Sequence, residues 1–401
     1  PGTAETELTV MASKSFTRFF PTASIAWIAL LPAALLFFTC AARAAEGEDK
    51  GYISESFFSE ALGAEKDYNI YLPPQYGTDE QRRFPVVYLL HGYNFTRNNP
   101  DINTVHEEQN HWVRQESIPE IADCLFTSNS YAALGECLAE KGVEHPQAVV
   151  GDMEKEYLEC PLPLPPMIVV MPDGDSSFYI DRADGAKTWP PLDGPEFVDG
   201  VRRGATGQYE TYIYRDLVGH IDSTYRTMAE RDMRGVGGFS MGGIGSMNLL
   251  LGHPDVFVSV SAQSAVFTLT DLLNDPLGQG MDKTTLEIRE MFTRKTDAGK
   301  EKIDVGFVKK NDPYYRLRDL DRKDVYIYYD AGDGDFFSGM YNFKTFDKFA
   351  RGLKKKGLAA YPSEHIIEGT EINGKGMHTG DFWRSRVGVM LAFHAKAFGL
   401  L

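Results

Sequence analysis

Short apolar runs recur along the chain, each rich in β-branched or aromatic residues and each ending at Gly, Pro or Asp. They are Phe84–Leu90, Pro166–Pro172, Arg234–Phe239, Val256–Ala262 and Asp324–Asp330. Runs of this kind read as strands buried on both faces. Asp67–Pro73 reads as a further strand at the edge of the same sheet. Between the runs the period changes. Ile213, Leu217, Ile221 and Tyr225 stand four apart and predict one apolar helix face over Tyr209–Arg226. Further helices are predicted from Met241 to the Gly-His-Pro at 252–254, over Asn342–Gly357 with lysines at its C-terminal end, and over Asp381–Phe398. Strand–helix alternation predicts a mostly parallel sheet with helices on both faces.

One interval breaks the alternation. Between Thr96 and Leu164 the chain is too long for an ordinary connection and carries helical pattern, as in Ser130–Gly142. It is expected to be an inserted cap on a catalytic domain spanning 46–401. Ahead of that domain, Lys14 and Arg18 precede an apolar stretch, Ala23–Phe38, and then the small residues Ala42–Ala44. That layout is expected to be a secretory signal peptide from about Met11 to Ala44, leaving a secreted or periplasmic protein with no membrane attachment after cleavage. Export leaves Cys124, Cys137 and Cys160, enough for one disulfide whose pairing the sequence leaves open. With 41 Lys+Arg against 57 Asp+Glu, the net charge of −16 argues against nucleic-acid partners. No Walker loop, Cys-x-x-Cys or histidine cluster suggests a cofactor or metal.

The chemistry concentrates in Arg234–Gly245, "RGVGGFSMGGIG", where Gly238-Phe-Ser240-Met-Gly242 is a G-x-S-x-G placed after a strand and before a helix. A serine at the tip of such a turn occupies strained backbone, and close passage of neighbouring chain requires the flanking glycines. Its hydroxyl needs a base to become a nucleophile, and in this architecture the base and its carboxylate follow it in the chain. His378, in a glycine-flanked loop before the last helix, is the expected base. His365 reads as part of a strand and His394 as part of the last helix. Asp330, Asp333 and Asp335 follow a strand; spacing leaves Asp333 and Asp335 level as the partner of His378. Oxyanion donors are expected at the N–H of Met241, after the nucleophile, and of Tyr93, in the loop after an early strand. His91 precedes the serine and is read as shaping that loop. Phe178, Tyr179 and Trp189 are candidates for lining a substrate pocket.

These stretches together resemble the α/β-hydrolase esterases grouped with esterase D, which include feruloyl and acetylxylan esterases, S-formylglutathione hydrolases and mycolyltransferases. The resemblance rests on "FPVVYLLHGY", "MIVVMPDG", "GVGGFSMGGIGSMNLLLGHPDVF", "YIYYDAGDGDFF" and "GMHTGDFWRSRV". It implies an α/β-hydrolase fold, a Ser240–His378–Asp335 triad and oxyanion donors at Met241 and Tyr93. The implied activity is ester hydrolysis, with feruloyl or acetyl groups on plant cell-wall polysaccharide as the expected substrates. Acyl transfer to a sugar, thioester hydrolysis, and a non-enzymatic carbohydrate-binding role are the alternatives. The chain departs from the family in lacking a second glycine after His91-Gly92 and in the length of the insertion.

Overall fold

The computed structural model describes residues 51–93, 108–157, 161–182, 197–198, 201–202, 207–273, 291–295, 300–339, 343–361 and 365–401. The expected signal peptide, Cys160 and Trp189 lie outside them. Among the described residues one open sheet contains β1 (Ile53–Ser59), β2 (Ala64–Tyr71), β3 (Val86–Leu90), β4 (Ile168–Pro172), β5 (Arg234–Phe239), β6 (Ser259–Gln263), β7 (Tyr326–Gly332), β8 (Ala360–Tyr361) and β9 (Ile366–Ile367). Their order is β1-β2-β4-β3-β5-β6-β7-β8, with β9 also pairing β7. β1 runs antiparallel to β2, and β2 to β4; every other pair is parallel.

The central strands β3 to β6 are buried along their whole length, as continuous apolar runs between two helical layers require. The two-residue period then sorts them. Val86, Tyr88 and Leu90 face one core with Ile213, Leu217, Ile221, Ile244 and Met247. Val87 and Leu89 face the other. Two assignments shift. The strand expected at the edge, β2, has partners on both sides. The edge belongs to β1, whose first four residues are exposed and so form no continuous apolar run. β6 starts at Ser259 rather than Val256, because Val256 and Phe257 turn back on the His253 carbonyl.

On the second face lie α1 (Ile118–Thr127), α2 (Tyr131–Glu140) and α3 (Pro146–Tyr157). They share a core with the last helix: Ile121, Leu125, Val149 and Met153 join Val387, Met390 and Leu391. Over these helices the insertion expected to cap the site is instead a layer of the main core. Apolar surface this extensive is more stable against a sheet than standing free of it. A disulfide joins Cys124 in α1 to Cys137 in α2. No helix among the described residues is long and apolar enough to cross a membrane.

Three further elements position the site. α4 (Met241–Gly252) leaves the end of β5, α5 (Lys344–Lys356) packs on the first face and stops at Gly357, and α6 (Gly380–Ala397) closes the chain.

Candidate active site

Ser240 sits between β5 and α4 with φ 54° and ψ −119°, a conformation a non-glycine residue reaches only under strain, at a cost of roughly 1–3 kcal/mol. The surrounding structure over-determines it. Its N–H donates to the Gln263 carbonyl at the end of β6 (2.9 Å), and its carbonyl accepts from Ile244 (3.1 Å). A Cβ on Gly242 would lie 2.2 Å from the Leu90 carbonyl oxygen, and one on Gly238 2.5 Å from the same atom. The two glycines of G-x-S-x-G are there because β3 passes too close for any side chain.

Three remote stretches meet at this turn. His378, just ahead of α6, places Nε2 2.9 Å from Ser240 Oγ and Nδ1 3.0 Å from Asp335 Oδ2. A carboxylate can only accept, so in the neutral ring the proton is on Nδ1, which donates to Asp335. Nε2 is then left to accept from the Ser240 hydroxyl. Asp335 follows β7 and is itself oriented: its Oδ1 accepts the N–H groups of Phe337 (2.9 Å) and Ser338 (2.8 Å). Burial alone would raise this carboxyl. The His378 hydrogen bond and charge, the Ser338 N–H and the Ser264 hydroxyl outweigh burial and hold it below the usual carboxylate range. The Ser264 hydroxyl in turn accepts Trp383 Nε1–H at 3.0 Å.

The other two aspartates of that region do other work. Asp330 is buried against Arg386, Nε to Oδ2 2.7 Å. Asp333 accepts the Gly369 N–H at 2.9 Å and fixes a turn. The remaining histidine candidates are packed away. His365 stacks on Tyr329 with ring centroids 3.9 Å apart. His394 is buried between the hydroxyls of Ser259 (2.8 Å) and Ser261 (2.9 Å).

Burial pushes the His394 imidazole down to about 3, from 6.5. The unfolded chain therefore takes up this proton first as pH falls. The stability contributed by the neutral ring is complete above pH ~6.5 and is lost progressively as pH drops toward ~3. His394→Asn is expected to flatten the pH dependence of the unfolding free energy by up to about 1.4 kcal/mol per pH unit across this window. Urea denaturation of both proteins at a series of pH values measures it; parallel curves would contradict the assignment.

The loop after β3 carries His91, Gly92 and Tyr93 past Ser240. A Cβ on Gly92 would stand 3.4 Å from the Ser240 Cβ. His91 holds this loop from behind, as expected. Its Nε2 accepts the Gly174 N–H (2.8 Å), so in the neutral ring Nδ1 carries the proton and donates to the Gly92 carbonyl (2.8 Å). Phe178 and Tyr179 both have positive φ, 56° and 54°. Phe178 packs its ring on Tyr93 at 5.9 Å. Tyr179 is a correction to the sequence reading. It is wholly buried, with its hydroxyl donating to the His91 carbonyl at 3.3 Å, and this leaves it no surface for a substrate. The N–H of Met241 belongs to the first turn of α4, where helix N–H groups lack partners within the helix and the dipole is positive.

Further apolar residues lie close to these groups. Trp383 stacks on Phe239, the residue before Ser240 (3.9 Å), and stands edge-on to His378 (5.1 Å). Phe336 and Met377 are the chain neighbours of Asp335 and His378, and both are exposed. Adjacency to two candidate site residues was the only signal for them in the sequence. Among the described residues there is no group of three or more His, Cys, Asp or Glu side chains placed to hold a metal.

The Esterase family model matches residues 59–122 and 163–394. The unmatched stretch between them falls inside the insertion, over the second half of α1 and all of α2 and α3. A curated esterase of Mycobacterium tuberculosis is 26% identical over 213 residues, which is 53% of this chain and 32% of the relative. The match thus spans about a third of that relative's length. Among solved structures, a ferulic acid esterase superposes with a TM-score of 0.51 at 19% identity, covering 86% of this chain and 98% of the other. A Staphylococcus aureus fluorophosphonate-binding serine hydrolase gives 0.52 at 17% identity, and an S-formylglutathione hydrolase of the same organism 0.51 at 17%, with the same coverages. At such identities these structures establish the fold. The chain belongs to the Esterase family and has the α/β-hydrolase fold.

Proposed function

We propose that this chain is an exported serine esterase working through an acyl-enzyme. The observation that carries the reading is the unbroken series Asp335–His378–Ser240, with contacts of 3.0 and 2.9 Å. Ser240 Oγ attacks the ester carbonyl as His378 Nε2 takes its proton. Asp335 holds the imidazole in the accepting tautomer and stabilises the imidazolium. The carbonyl oxygen becomes an oxyanion facing the N–H groups of Met241 and Tyr93; one such donor is worth about 3–4 kcal/mol in the transition state. The imidazolium then returns its proton to the alkoxide oxygen, the alcohol departs, and water repeats the sequence on the acyl-enzyme. Strain at Ser240 keeps the hydroxyl fixed through both halves.

A disulfide between Cys124 and Cys137 fits an oxidising compartment and supports export. For the substrate, we take feruloyl or acetyl esters of plant cell-wall polysaccharide.

Fluorophosphonate treatment followed by peptide mapping tests the nucleophile: the phosphonyl group should be found on Ser240. A protein left unlabelled at neutral pH, and inert toward phenyl acetate, would end the esterase reading. A panel of feruloylated and acetylated oligosaccharides, a thioester, and sugar acceptors then separates the substrate alternatives.

A further inference from the structure

We propose that Phe336 and Met377 form the subsite for the alcohol half of the ester and select alcohols that present a flat apolar face. The proposal rests on the serine-esterase reading given above.

Three aromatic rings stand beside the His378 ring. Trp383 and Phe337 stand edge-on to it at 5.1 and 5.5 Å, and both are buried. Phe336 also stands edge-on, at 5.3 Å, yet is 57% exposed. Met377, the residue before His378, is 45% exposed. Two of the rings beside the imidazole are thus buried, while the third and the chain neighbour Met377 offer large apolar side chains to water. Large apolar side chains left in water cost free energy that contact with a ligand recovers.

The direction of the chemistry says which ligand group meets them. The oxyanion points toward the first turn of α4 and the loop after β3, away from the imidazole. The leaving oxygen must come within hydrogen-bond reach of His378 Nε2 to receive its proton, roughly 2.6–3.2 Å. Its substituent then runs outward past that ring, onto Phe336 and Met377. The acyl group takes the remaining direction. Two sources supply the required face: a phenolic ring, or the C–H face of a pyranose stacked on Phe336.

The test uses esters that share an acetyl group and differ in the alcohol: methyl acetate, phenyl acetate and an acetylated methyl xyloside. Phe336→Ala, at an exposed position, should lower kcat/KM for phenyl acetate about tenfold and for methyl acetate less than about twofold. Met377→Ala should move the same ratio in the same direction. Hydrolysis of the acetyl-enzyme, from which the alcohol has departed, should be unchanged. A parallel loss on the xyloside identifies a sugar face as an occupant; a loss on phenyl acetate alone identifies an aryl alcohol. Equal losses on methyl and phenyl acetate, or slower hydrolysis of the acetyl-enzyme, would overturn the subsite and leave Phe336 as an acyl-side wall or a prop for the imidazole. In that outcome the wild type still turns over esters through Ser240. Absence of any Ser240-dependent turnover is a different result, which removes the esterase reading and the subsite with it.

Discussion

Ser240→Ala is expected to lower kcat for ester hydrolysis by about 10⁶-fold while leaving thermal unfolding nearly unchanged. The hydroxyl makes one contact of consequence, with His378 Nε2, and its loss opens no cavity of note. What remains is catalysis by oriented N–H donors acting on water, a residue of roughly 10³–10⁴ over the uncatalysed reaction. Asp335→Asn is the informative companion. An amide at 335 can turn its NH2 toward Nδ1, which favours the tautomer with the proton on Nε2. Ser240 would then face a donor instead of an acceptor, and kcat should fall by about 10⁴-fold with the geometry intact. Initial rates on phenyl acetate measure both variants. Retention of even about a tenth of wild-type kcat by Ser240→Ala would reassign the nucleophile.

The largest stability effect is expected at a residue outside the chemistry. Arg386, on α6, is fully buried. Its Nε contacts Asp330 Oδ2 at 2.7 Å, its second guanidinium nitrogen donates to the Tyr328 hydroxyl at 2.6 Å, and Asp152 and Glu156 of α3 lie at 3.3 and 3.2 Å. One guanidinium thus joins the last helix to β7 and to the insertion. Removing it by Arg386→Ala leaves Asp330 buried beside two further carboxylates. The loss should be about 3–5 kcal/mol, read as the shift in urea unfolding free energy. Much of that is the penalty of an orphaned charge. The double variant Arg386→Met, Asp330→Leu should therefore recover most of it. A loss below about 1 kcal/mol for Arg386→Ala would mean the cluster is solvated in the native state. The cluster also bears on activity, since β7 delivers Asp335 and α6 follows His378. Loosening one against the other should lower kcat even where the protein stays folded.

The parts of the molecule that the sequence determined are those whose cause is local. Runs such as Val86–Leu90 and Ile168–Pro172 are buried on both faces and therefore apolar throughout. The turn at Ser240 needs glycines within two residues of itself, so its signature is contiguous. His378 could be favoured over His365 and His394 because loop and element read differently in composition. Where the cause lies in distant chain, the pattern fell silent or misled. Spacing left Asp333 level with Asp335, since both suit a turn; the difference is that one carboxyl meets an imidazole forty-three residues on while the other accepts the Gly369 N–H. Tyr179 looked like a pocket wall and is buried behind the loop after β3. Cys124 and Cys137 paired because α1 and α2 pack side by side. The described helices of the insertion became part of the core because their apolar faces found the sheet and α6. Phe336 and Met377 were unremarkable letters until the fold left them in water beside the His378 ring and its chain neighbours. Periodicity and turn chemistry act over a few residues and are written there; which of several equivalent side chains meets a partner is fixed by the register of a whole sheet, and only the assembled structure holds that.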